Sequence, residues 1–541
     1  MKKAFLVLAG LFMSAALFAG GGSQQGGTAP QAALNLGPAG QLPVVREKVT
    51  YTIGASIDTQ WGDPNEGEFW ANFEKETNVH IDWVVARPGE ANEKYSVMMA
   101  SGDYPDAFIG WGDGNTNILK YGVDQKVYIP LTKLIPEHMP NFLKNAPKIV
   151  PNIMEVITAP DGNIYGLPEV GGDPVLNVIP NGFFINKVWL DKLGLKAPTN
   201  LDEFANVLRA FKTRDPNGNG QADEIPWTFV FDDWGAYDLT SFFGSFGYPL
   251  EPSAYTMVDR GRVIFQATDP NYKAAAQYLA GLYKEGLIDR EAFTNSELAV
   301  TAKTDSTPMT IGAFNSYAVF TKNNIDNYVP LLPLKGPRGD QNVFYSTSLI
   351  QGRETMIITN KAKNPEVLLR WADQLYRDFQ TAYSCTYGLG PDPNKYWNYD
   401  ANGNMVVNPV IPAKYDRTQQ GLPFIPCAMD PDLYIQVESS YPDHKQKVAL
   451  LDFYKPYTTL FTSGQLERFP DTVFTTSEEA EELAILQTDI VKYAKNQLAR
   501  WISNDGDINV EWDGYLRELN NIGLPRYLEL KQRIYDRSKG K

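Results

Sequence analysis

A two-lobed α/β fold is predicted, on three observations. The chain has 541 residues, more than one hydrophobic core usually serves. Its first folded stretch alternates strand, helix, strand, helix, strand, the order of a mainly parallel sheet. A second stretch of similar character begins after IYGLPEV, and the last 70 residues or so are mostly helical.

In the first unit, VTYTIGASI (Val49–Ile57) has the β-branched alternation of a strand. Phe69, Trp70 and Phe73 then offer one apolar face of a helix before KETNVHIDWVVA returns to strand. EKYSVMMASGDYPDAFIGW reads as a helix stopped by SGDYPD, followed by a buried strand over Ala107–Trp111. In the second unit Asn200 caps a helix with Glu203 three residues on, and Leu201, Phe204, Ala205, Leu208 and Phe211 make its apolar stripe. KAAAQYLAGLYKEGLI is a helix ending near Gly286, and Pro365 opens NPEVLLRWADQLYRD at a first-turn position, where its missing N–H costs little. Ser477 is expected to cap the long C-terminal helix.

The formal net charge of −15 disfavours nucleic acid and anionic lipid as partners, and no basic run contradicts it. Three dispersed histidines, His80, His138 and His444, argue against zinc and Ser-His-Asp chemistry. Cys385 and Cys427 lack CxxC spacing and read either as a pair or as two separate buried thiols. Lys2, Lys3, the apolar run Ala4–Leu17 and the small Ala19 have the pattern of an export signal over residues 1–19. Residues 20–45, uncharged to Val45 and rich in Gly, Ala, Gln and Pro, are expected to be a flexible leader. No later stretch is long and apolar enough for a membrane span.

The segment DPNGNGQADE (215–224) carries the clearest chemistry. Asp215, Asn217, Asn219 and Asp223 fall at the alternating spacing of a calcium loop, with Gly220 at the sharp turn. The main chain of Gln221 can add an oxygen. The twelfth position is Pro226 where an EF-hand has a bidentate Glu, and Glu224 could take that role. A polar Asn-Gly turn with nothing bound is the alternative. A calcium here would be structural, since no nucleophile or base stands nearby.

Three segments together resemble extracellular solute-binding proteins of ABC importers: FWANFEKETNVHIDWVVARPGEANEKYSVMMASGDYPDAFIGW, NGFFINKVWLDKLGLKAPTNLDEFANVLRAFKTRDPNGNGQADEIPWTF and WISNDGDINVEWDGYLRELNNIGLPRYLELKQRIYDR. The last two are similar to the branch of alginate-binding and LplA-type oligosaccharide-binding proteins. The resemblance implies a type II, maltose-binding-like fold that closes on ligand like a clamshell. It also implies structural Ca2+ on Asp215, Asn217, Asn219, Gln221, Asp223 and Glu224. Lobes of 46–167 plus 330–363 and of 168–329 plus 364–541 are expected, with crossings near Gly166–Glu169, Val329–Leu334 and Lys361–Pro365. The implied function is capture of an oligosaccharide by a monomer and its delivery to the transmembrane subunits of an ABC permease, without catalysis. Relatives of that branch carry a lipobox cysteine where this chain has Gly20, so a soluble periplasmic protein without a lipid anchor is expected.

Sugar sites pair aromatic platforms with carboxylates and amides. Candidates at strand ends facing the cleft are Asp58, Trp61, Trp111, Asp113, Asp232, Asp233, Trp234, Tyr237, Asn315 and Tyr317, with Glu169 from the first crossing. Two other readings stay open. One is a secreted glycoside hydrolase or lyase, for which carboxylates abound. The other is a peptide-binding member of the same fold, with Arg353 as the anchor for a terminus.

Overall fold

The computed structural model describes residues 35–540 apart from 58–61, 113, 173–180, 233–234, 318–323, 347, 393–394, 409–420, 441–444 and 471–472. The expected signal at 1–19 and Gly20 lie outside the described residues, as does most of the leader. The leader's end is ordered, against expectation. Leu36 bridges Val45, Gly37 N–H donates to Val44 O at 2.8 Å, and Val44 and Val45 are buried in the first core. Two adjacent valines supply the apolar anchor that the surrounding composition lacks.

That core lies on a six-stranded sheet. Strands β1 (Val49–Ser56) and β2 (Val79–Ala86) run parallel, and β3 (Ala107–Ile109) lies parallel to β1 on its other side. Strand β11 (Ile350–Ile358) inserts antiparallel between β3 and β4 (Gly166–Gly171), and β14 (Ala428–Met429) closes the sheet parallel to β4. All strands except β11 therefore end on one edge. Helix α1 (Glu68–Thr77) covers the sheet with Phe69, Trp70 and Phe73, as its pattern predicts. Trp70 stacks on Trp371 at 6.1 Å between ring centroids, and Phe73 meets the same indole edge-on at 5.6 Å.

Trp371 belongs to α5 (Pro365–Leu375), so this helix packs in the first core, and α6 (Phe379–Tyr387) follows it there. The same core holds residues to Val437, whereas the sequence expectation put everything from 364 onward in the second lobe. Asn364-Pro365 correctly marks where the helix starts, but a start signal says nothing about which sheet receives the apolar face. By core membership the chain leaves the first sheet after β4, returns before β11, and leaves again between Val437 and Leu450.

The second core surrounds the sheet β10 (Tyr328–Pro330), β5 (Gly182–Asn186), β9 (Ile311–Ser316), β6 (Ile225–Thr228), in that order. Helix α3 (Leu201–Thr213) buries the five stripe residues, and Asn200 Oδ1 accepts from Glu203 N–H at 2.9 Å, the expected cap. Helix α4 (Pro270–Lys284) packs beside it in the same core as α7 (Ser477–Ile502) and α8 (Ile508–Ile522). Thr476, one residue before Ser477, caps α7 in a reciprocal box with Glu479. A third sheet, β15 (Leu466–Arg468), β7 (Thr256–Asp259), β8 (Arg262–Phe265), packs Val258 and Val263 on Ile534 and Tyr535 of α9 (Leu524–Ser538).

Candidate functional site

In open α/β sheets ligands bind outside the carboxyl ends of the strands. At that edge of the first sheet lies a cavity of about 520 Å3. Gly114 and Asn115, after β3, and Tyr345, Ser346, Ser348 and Ile350–Glu354, leading into β11, form one wall, and Phe461 and Leu466–Pro470 of the third-sheet region form the other. The site thus draws on segments that pack with different cores.

Strand β11 changes register twice, between Ile350 and Gly352 and again before Met356. Consecutive strand residues normally point to opposite faces, and a bulge relaxes that rule. Arg353 Nε accordingly donates to Glu354 Oε1, with the two residues only 8% and 4% exposed. A β-carbon at 352 would stand 2.3 Å from Thr355 Oγ1, so that hydroxyl would have to turn away. The Arg353 guanidinium also lies 3.6 Å over the Phe474 ring. Next to it Asn115 Nδ2 donates to Thr475 Oγ1, and Thr475 N–H donates back to Asn115 Oδ1 at 3.4 Å. The segment before α7 is therefore fastened to the first sheet at the cavity's edge. The anchor considered for a peptide terminus is already taken.

Of the residues expected to line the cleft, Asp58, Trp61, Asp113, Asp233 and Trp234 lie outside the described residues. Trp111 is buried at 4% exposure, its Nε1 donating to Ala91 O at 3.1 Å and its ring packed on Phe108 and Tyr95. Asn315 is fully buried, accepting from Trp227 Nε1 at 2.9 Å and donating to Asn181. Tyr237 is buried and meets half-buried Tyr317 edge-on at 6.2 Å. Asp232 is exposed and pairs with Lys495 of α7 at 2.7 Å. Asn315 and Trp111 are thus buried among their own neighbours and do not line the cavity.

Glu169 also turns inward. Its Oε2 is buried without a partner, and burial lifts its pKa to about 8 despite a hydrogen bond from the Ile425 backbone. Beside it lie the buried, free thiols Cys385 and Cys427, with Cys385 Sγ donating to Ala382 O at 3.1 Å.

Phe424 was not anticipated. It precedes β14, is 50% exposed, and lies against the backbone of Gly110, where β3 ends. Gly110 N–H donates to Thr355 O at 2.8 Å, one residue beyond the cavity-lining Glu354.

The 215–224 loop winds on its own side chains. Asp215 accepts from the amides of Gly218, Asn219 and Gly220, and Asn217 Nδ2 and Asn219 Nδ2 donate to the two oxygens of Asp223 at 2.9 Å each. Glu224 Oε1 is buried without a partner, and its pKa is raised by burial and by the charges of Asp223 and Asp215. A cation would relieve that arrangement, and the amide oxygens become donors to it when the asparagine side chains turn over. Among the described residues no group of three His, Cys, Asp or Glu side chains converges as a ready metal cluster, so any cation here would rely on the asparagines and main chain as well.

Residues 60–378 match the family model described as bacterial extracellular solute-binding protein. The chain is 33% identical over 510 residues to the fructooligosaccharide ABC transporter substrate-binding protein FusA of Streptococcus pneumoniae, covering 92% of this chain and 91% of that one. The structure of FusA in complex with kestose superposes with a TM-score of 0.80 at 31% identity, over 91% of this chain and all of that one. An EF-hand mutant of FusA gives 0.79. The alginate-binding protein AlgQ2, solved without calcium ion, gives 0.71 at 26% identity, covering 91% and 99% of the two chains.

Proposed function

This chain belongs to the bacterial extracellular solute-binding proteins, and we propose that it is the substrate-binding component of an ABC importer for oligosaccharides. The observation that carries the reading is the cavity of about 520 Å3 at the carboxyl edge of the first sheet, walled on one side by that sheet and on the other by the third-sheet region. Its lining mixes the half-buried aromatics Tyr345 and Phe461 with Ser346, Ser348, Gln351 and Asn115, the combination that suits rings of hydroxyls with apolar faces. FusA, over nine-tenths of its length, takes a fructooligosaccharide, which makes that class the first to test.

The protein acts outside the cytoplasmic membrane, in the periplasm where an outer membrane encloses it, and hands its ligand as a monomer to the permease's transmembrane subunits. Among the described residues no helix is long and apolar enough to cross a membrane. Binding alone is the role; catalysis is not part of it. The loop at 215–224 holds a structural Ca2+ through Asp215, Asn217, Asn219, Asp223, Glu224 and the main chain of Gln221, and the stranded Glu224 oxygen supports this.

Calorimetric titration with fructo-oligosaccharides and other oligosaccharides, followed by product analysis, tests the function. Saturable one-to-one binding with intact sugar recovered is expected. Turnover without stoichiometric binding would replace the reading with a glycoside hydrolase or lyase.

A further inference from the structure

Val473, Phe474 and Thr475 lead into the Thr476 cap of α7, and neighbouring residues among them pack in different directions. Val473 packs against the apolar cluster of the third sheet and α9, which holds the cavity-lining Phe469. Half-buried Phe474 packs on a cluster of the first sheet, with Phe108 of β3 and Ile357 of β11 among its members. The guanidinium of cavity-lining Arg353 lies 3.6 Å from the centre of the same ring. Thr475, 7% exposed, exchanges two hydrogen bonds with Asn115, which also lines the cavity. The helix that follows is fixed to the opposite side. Glu479, in its first turn, accepts from Arg537 of α9 at 2.7 Å and pairs with Arg533 at 3.5 Å.

Three consecutive residues thus reach both walls of the cavity, and none of the three lines it. Moving the walls apart exposes the Phe474 ring to water, breaks its contact with the guanidinium and parts Thr475 from Asn115. That cost does not depend on what the cavity holds. Arg353 also has Glu354 as a partner, so removing the ring does not strand its charge.

We propose that Val473–Thr475 is a latch that holds the two walls together, and that Phe474 is a positioning residue that sets how long a ligand stays without touching it. The second half rests on the oligosaccharide reading above; the first half stands without it.

The test uses the full chain and two readouts. For the first, spin labels are placed at the exposed positions Val97→Cys and Val510→Cys, which lie on helices of the first and second lobes, while Cys385 and Cys427 are fully buried. Without sugar, the wild-type background is expected to show one main distance between the labels, and Phe474→Ala to add a second population. The second readout is stopped-flow kinetics with fructo-oligosaccharides of several lengths. Phe474→Ala should raise koff about tenfold for every sugar bound while kon changes less than about threefold, and Phe474→Tyr, which keeps the ring, should restore koff. A folded Phe474→Ala protein with an unchanged distance distribution overturns the latch. An unchanged koff, or a change confined to one sugar, overturns the positioning role, since an effect on one ligand marks a contact. If wild type binds no oligosaccharide, the oligosaccharide reading falls with the role in residence time, and the label distances still decide the latch. If Phe474→Ala fails to fold, Thr475→Val, which loses the hydroxyl but keeps the amide bond to Asn115, carries both readouts with an expected threefold or so rise in koff.

Discussion

Phe424 rests on the bare Cα of Gly110: a β-carbon at 110 would stand 2.9 Å from Phe424 Cβ, and Gly110 holds φ +57°. The contact fixes a half-exposed ring at the carboxyl edge of the first sheet, where a sugar's C–H face can stack on it. Phe424→Ala is expected to weaken sugar binding by about 0.5–1.5 kcal/mol, or roughly two- to twelvefold in Kd, with little change in Tm. Gly110→Ala should act in the same direction by displacing the ring. Titration of each variant with the wild-type ligand checks both.

Removing calcium should lower stability without removing the ligand site. At a free calcium concentration of about 100 times Kd, the bound ion contributes about 2.7 kcal/mol. A chelator is therefore expected to lower the wild-type Tm by several degrees. Asp215→Ala should abolish that response, and its own Tm should fall, because Asp215 also holds three loop amides. Thermal melts with and without chelator read this, and an unchanged wild-type Tm counts against the ion.

Glu169 makes stability depend on pH. Its folded pKa, about 8, lies above the ordinary carboxylate value, so between roughly pH 4.5 and 8 the folded chain keeps a proton that the unfolded chain has released. Stability falls through that window as pH rises, by up to about 1.4 kcal/mol per pH unit for one such group. Asp373, raised to about 7 chiefly by burial, adds a slope of the same sign. Glu169→Gln should flatten the dependence and melt above wild type at pH 8, as denaturation at a series of pH values would show.

The two thiols should stay silent in the folded protein. Cys385 and Cys427 are fully buried, and the Cys427 thiol is pushed well up by its hydrogen bond with Cys385 and by burial. Thiol titration of the native protein, kept under reducing conditions until assay, is expected to detect neither; unfolding should release two.

The helix stripes were legible because periodicity reports burial directly: the α1 aromatics and the α3 stripe stand where the pattern puts them. The strand positions were legible too, but β3 stops at Ile109 short of the expected Trp111, and Trp111 shows why a strand does not locate the side chain that follows it. Gly110 and Gly112 both have positive φ, and the chain between them turns the indole back under the sheet. Phe424 carries no comparable sign, since it sits in QGLPFIPC, outside any periodic element. The Arg353–Glu354 pair depends on a β-bulge, and QGRET advertises it with nothing more than Gly352. The packing of the described residues between Val367 and Val437 in the first core is a choice between two similar apolar surfaces, which a local pattern cannot express.

Helix α7 has 26 residues and so runs about 39 Å from Thr476, next to the cavity's latch, to Ile502. A helix of that length behaves as a stiff rod over short distances. Its first turn follows directly on Phe474 and Thr475, which are held to Arg353 and Asn115, and its last turn packs Trp501 on Trp512 and Tyr515, so one stiff element joins the cavity's edge to the second core.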